Sequence, residues 1–182
     1  FLRVFDFYHP KVWLDIALGQ RKTIEPLSSG TSFELSYNLE FEHYKMHYLE
    51  MLIIAQSYFD KSLSQEQKIK SFQKWAYDNL LISRYTMSFL LLLIAGRLKT
   101  FKRAKGFEEV LDRCRNQAWD LSYLTLWGAL RVHEHNRSVV YLFGTRDEEL
   151  KMIFMSAHIE TNELPSDLFG SEVGNRISQF MR

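Results

Sequence analysis

With 182 residues, 46% of them hydrophobic, the chain can bury a core without staples, and a disordered class is excluded. A net charge of +1 excludes a uniformly cationic surface for nucleic acid and leaves only local patches. The single cysteine, Cys114, excludes an intramolecular disulfide, and its place on the apolar side of a helical pattern favours packing in a reduced compartment, the cytoplasm. Fourteen Phe and nine Tyr indicate a core dominated by large rings. The sequence starts at Phe1 without a methionine or a signal-peptide pattern, which suggests a truncated N-terminus rather than secretion.

Residues 1–5 are apolar and β-prone and are followed by Asp6, as in a short buried strand that ends on a carboxylate. Pro10 opens a helix with Val12, Trp13, Ile16 and Ala17 at helical spacing, stopped by Gly19. The segment 20–37, with Pro26 and Gly30, is a connection or a short strand around Phe33 to Leu35, and Asn38 then caps a long helix whose stripe is Phe41, Tyr44, Tyr48, Leu52 and Ala55. Ser64 with Gln67 forms a capping box for the next helix, with Ile69, Phe72, Trp75, Ala76 and Leu80 inside. The apolar stretch 87–95, flanked by Arg84 and Arg97, is too short to cross a bilayer and reads as a buried helix.

A basic stretch, Arg97, Lys99, Lys102, Arg103 and Lys105, closes this block, and Gly106 ends it. A further helix carries Phe107, Val110, Leu111, Cys114, Ala118, Leu121 and Leu124 on one side. Beyond a polar loop with His133 and His135, residues 138–143 form the clearest strand, and helix resumes over 148–158. Strand and helix thus alternate only at the ends of the chain. The expected fold is α/β and helix-rich overall: a small, mostly parallel sheet surrounded by helices, with a helical insertion over about 60–105. One domain spans 1–160, and 161–182 form a loosely attached tail.

Asp120 is the only charge in the apolar run 118–130, so it needs a metal, a cation or hydrogen-bond donors. Arg113 and Asn116 share its face. Asp147 follows the later strand, where α/β sheets place ligands, yet it suits a helix start equally well, as does a capping box of Thr145 with Glu148. Asp6 has the corresponding place after the first strand, and Glu40 and Glu42 open the long helix. Converging carboxylates would need a divalent cation, and oxygen ligands without cysteine point to Mg²⁺ or Mn²⁺. His43 and His47 stand four apart and could share a metal with Glu50 or Glu40, a lesser reading without the protease pattern. The basic stretch suits either phosphates, with Phe101 stacking a base, or a solvated helix end.

The stretch Asn116-Gln-Ala-Trp-Asp120-Leu-Ser-Tyr-Leu, with Val139-Val-Tyr-Leu-Phe-Gly-Thr145-Arg-Asp147-Glu-Glu-Leu150, resembles the C-terminal half of PIN-like nucleases. That half has an aspartate on an apolar helix, a buried strand and a Thr-x-Asp turn into a helix. Asp6 and Glu40 or Glu42 match the family's earlier acids by order and spacing. The resemblance implies metal-dependent phosphodiester cleavage, of RNA before DNA. Asp6, Glu42, Asp120 and Asp147 would be catalytic and, with Glu40, hold Mg²⁺ or Mn²⁺ that activates water. Thr145, Asn116 and the basic stretch would bind the nucleic acid. The alternative is a catalytically inactive helical α/β module that binds or regulates a protein partner, or self-associates. No membrane is expected in either case.

Overall fold

The computed structural model describes residues 10–23, 42–80, 83–102, 104–133, 143–159 and 163–180. The chain divides into two compact units, Phe1–Tyr37 and Asn38–Arg182. In the first, α1 (Pro10–Ala17) is an amphipathic helix that carries a Lys11–Asp15 ion pair at 2.8 Å and stops before Gly19, as its sequence indicates.

The regular elements among the described residues of the second unit are all helices: α2 (Glu42–Phe59), α3 (Gln65–Asn79), α4 (Arg84–Ile94), α5 (Phe107–His133), α6 (Glu148–Ser156), α7 (Glu163–Phe169) and α8 (Ser171–Phe180). Two starts have clear local causes. Ser64 and Gln67 form the expected reciprocal capping box of α3, and Ser83 caps α4 by accepting from the Tyr85 N–H. Every residue from Tyr85 to Ile94 is buried, because α4 packs against α2, α3, α5, α6 and α7. It ends in a Schellman motif, with Gly96 at φ 74 and the Arg97 N–H donating to the Leu92 carbonyl at 2.9 Å.

The expected α/β architecture is overturned here, because no described residue lies in a strand. The strands proposed at 1–5 and at 33–35 lie outside the described residues, as does the one at 138–143 up to residue 142. Phe143 is in irregular chain, with its ring stacked on Phe154 at 5.1 Å. The region read as an insertion supplies the middle of the core instead: Ile69, Phe72, Phe89, Leu90 and Leu91 are fully or almost fully buried. Such side chains each contribute roughly 1.5–3 kcal/mol when removed from water.

α2 and α5 run antiparallel, since His47 meets Thr125 while the Met51 carbonyl meets the Cys114 thiol at 3.6 Å. Burial pushes that thiol up to about 11. In the segment read as a tail, α8 packs on α7 and α3, burying Leu164 and Ile177. The crossing of α7 and α8 depends on Gly174, where a Cβ would stand 2.4 Å from the Ser166 Cα. Because that neighbour is backbone, Gly174→Ala is expected to cost about 1–3 kcal/mol in urea denaturation. Gly144→Ala, with nothing within 4 Å, should stay within about 0.5 kcal/mol of the parent. Equal midpoints for the two variants would show that the crossing is not tight.

Candidate functional site

Three features stand out along α5, and the expected carboxylate pair is one of them. α6 leans on α5 through Phe154 against Trp127, with ring centroids 4.9 Å apart. Asp120 on α5 and Asp147 before α6 come within electrostatic range of each other. Burial first, and the Asp147 charge second, push Asp120 up to about 6. Asp120 carries no hydrogen bond or ion pair among the described residues. Arg113, the partner its spacing offered, instead binds Glu109 and the Thr100 carbonyl.

Asp147 is the N-cap of α6: its Oδ1 accepts from the Glu149 and Leu150 N–H groups at 2.8 and 3.0 Å. The Thr145 hydroxyl accepts from the Asp147 N–H at 3.0 Å, so Thr145 supports the cap and is not the cap itself. Asn116 is exposed on α5. Asp6 and Glu40 lie outside the described residues, and Glu42 is described only as the first residue of α2. Among the described residues no group of three or more His, Cys, Asp or Glu side chains is placed to hold a metal.

The basic stretch is largely a connection rather than a helix end, since α4 already stops at Ile94. Arg97, Lys99, Lys102 and Lys105 are exposed, and Arg103 lies outside the described residues. Phe101 stacks no base: it is 1% exposed, with its ring centroid 5.6 Å from that of Tyr58 and 5.9 Å from that of Phe59. Glu149 pins the same connection by accepting from the Lys99 N–H and the Thr100 hydroxyl.

The second feature is buried. His47 and Glu50, both 0% exposed, join through Nδ1 and Oε2 at 2.7 Å. The Thr86 hydroxyl donates to the same Oε2 at 2.7 Å, and His47 Nε2 meets the Thr125 hydroxyl at 2.8 Å. Glu50 Oε1 has no partner among the described residues. With both ring nitrogens engaged, His47 cannot share a metal with His43, which is exposed on α2. Sequence spacing offered His47 and Glu50 as candidate metal ligands. Their bonds to Thr86 and Thr125 bridge long separations along the chain and leave no local signature.

The third feature is an apolar groove of 430 Å³ between α2 and the start of α5, lined by Leu52, Ala55, Phe59, Phe107, Val110 and Leu111 among others. Phe107 was expected inside, yet it is 73% exposed, and Phe59 is 48% exposed. The groove begins about 13 Å from Asp120, counting from Leu111 along the helix rise.

Breaking one side of the buried pair should cost about 3–5 kcal/mol. His47→Ala and Glu50→Ala, alone and together, therefore form a cycle whose coupling should exceed roughly 1 kcal/mol in chemical denaturation. Additive costs would mean that the two side chains do not act as one network.

No protein-family model matches the chain, and comparison with curated proteins and with solved structures gives no match. A PIN-like domain requires a parallel sheet, so the helical structure of the described residues overturns that resemblance.

Proposed function

We propose that the chain is a helical docking module that seats an apolar segment of a partner protein between α2 and the start of α5. The observation that carries this reading is the apolar groove with Phe107 and Phe59 turned to solvent at its edges. Large exposed rings beside an open apolar concavity mark interaction surfaces, and grooves between helices commonly take helical segments. Among the described residues no helix is long and apolar enough to cross a membrane. A lone buried thiol suits the reducing cytoplasm.

Selection of a displayed random-peptide library on the purified protein tests the reading. Peptides that win should bind Phe107→Ala roughly tenfold more weakly, as expected for loss of an aromatic anchor. Because Phe107 is mostly exposed, the variant should keep its thermal midpoint. Winners indifferent to Phe107→Ala and Val110→Ala would remove the groove from the function.

A second reading rests on Asp120 and Asp147. We read the pair as a Mg²⁺ or Mn²⁺ site serving phosphodiester hydrolysis, RNA before DNA, because a divalent cation would offset both the burial and the Asp147 repulsion that raise Asp120. The pH dependence has a definite sign. The folded value lies above the ordinary 3.8, so the contribution of Asp120 to stability is fully present below about pH 3.8 and lost as the pH rises through about 6.

Asp120→Asn should therefore gain stability over the parent at pH 7.5, by about 1–2 kcal/mol once solvent screening of the half-buried group is allowed for. The gain should vanish near pH 4. Mg²⁺ or Mn²⁺ should stabilise the parent and not the variant, and labelled RNA should be cut only by the parent. Equal cleavage by both proteins would rule out a catalytic role for the pair.

A further inference from the structure

We infer that the segment received by the groove is acidic: an apolar anchor flanked by Asp or Glu that lie against Lys102 and Lys105. This rests on the docking reading above and specifies its partner. Residues 97–106 contain five basic side chains and no acidic one. Ala104 and Gly106 line the groove, so Lys105 lies between two lining residues and Lys102 just before them. Both lysines are exposed and neither makes an ion pair among the described residues.

Helix dipoles do not account for the position of either lysine. Cations are favoured at a helix C-terminus, but the effect fades within the last turn. α4 ends at Ile94, well before Lys102. Lys105 instead precedes the N-terminus of α5, the positive end of that helix dipole, where a cation is disfavoured. Glu109 offsets part of this by accepting from the Lys105 backbone N–H, binding the Arg113 guanidinium and facing the Lys105 charge, which leaves the exposed Lys102 without an ion pair among the described residues. Glu108, exposed in the first turn of α5, is the nearest acidic group in sequence left without a bond among the described residues. An anionic partner segment matches this lip.

The groove favours a peptide over a nucleic acid. Of the residues lining it, only Gln56 carries a polar side chain, so base edges would find almost no hydrogen-bond partners. The aromatic side chain within the basic stretch, Phe101, is buried in the core. Aliphatic walls with a cationic lip suit an amphipathic helix whose apolar face enters the groove and whose acidic residues line its rim.

The test uses the same peptide library, selected in parallel on the parent protein and on a Lys102→Glu, Lys105→Glu variant, with affinities read by fluorescence polarisation. Winners on the parent should be enriched in Asp and Glu around the apolar anchor and bind the charge-reversed protein roughly tenfold or more weakly. Their affinity for the parent should also fall with added salt. Winners on the reversed protein should be basic. Groove-dependent winners without charge bias, indifferent to the reversal but weakened by Phe107→Ala, would overturn the acidic partner and leave the docking reading standing. Winners indifferent to both changes would overturn both. Single-stranded RNA that displaces the peptides from the parent at lower concentration would assign the lip to nucleic acid and overturn this proposal.

Discussion

Two ionisable side chains wholly removed from water, His47 and Glu50, constrain how the bundle can be assembled. Neither tolerates burial without partners, and α2 alone gives them only each other. The remaining bonds come from Thr86 on α4 and Thr125 on α5, so satisfying the pair fixes where both helices sit along α2. A purely apolar interface would allow several near-equivalent registers, whereas a buried polar pair penalises every register that leaves it unpaired. Packing around it follows this setting: Cys114 meets Met51 on one side, and Tyr44 stacks on Trp119 with centroids 4.4 Å apart on the other.

The groove is a consequence of the same register. With α2 and α5 antiparallel, the last turns of α2 lie opposite the first turns of α5. Leu52, Ala55 and Phe59 there face Phe107, Val110 and Leu111. Phe107 shares a helical stripe with Cys114, seven positions on, which is why its sequence reads as buried. The stripe is closed at Cys114 and open at Phe107. Phe101 fills part of the space beside Phe59 and Tyr58, leaving the rest as an apolar concavity with a basic connection along its edge.

Features decided within a few residues were legible in the sequence. Ser64 and Gln67 cap α3 as a box of four consecutive positions, and the burial of Ile69, Phe72 and Ala76 follows from spacing alone. The burial of residues 87–94 is likewise a local property of an uninterrupted apolar run. The all-helical character of the described residues was not legible, because a short apolar run such as 138–143 suits a strand by composition, and of it only Phe143 is described, in irregular chain. Phe143 uses its ring to cover Phe154 on α6. Asp120 and Asp147 were each visible as chemical oddities. That they interact depends on tertiary packing, such as that of Phe154 on Trp127, which no local pattern encodes.

Asp147 serves as helix cap and also adds, after burial, to the upward shift of Asp120. One oxygen, Oδ1, takes both backbone N–H groups of the cap at the positive end of α6. Asp120, without a bonded partner among the described residues, is pushed up first by its burial and second by the Asp147 carboxylate. A cation between the two would not need to dismantle the cap, since Oδ2 takes no part in it. Asp120 lies on a different sector of α5 from both Thr125 and the groove residues. Along one helix, the register set at Thr125 and the groove are tied together, whereas Asp120 stands apart from both.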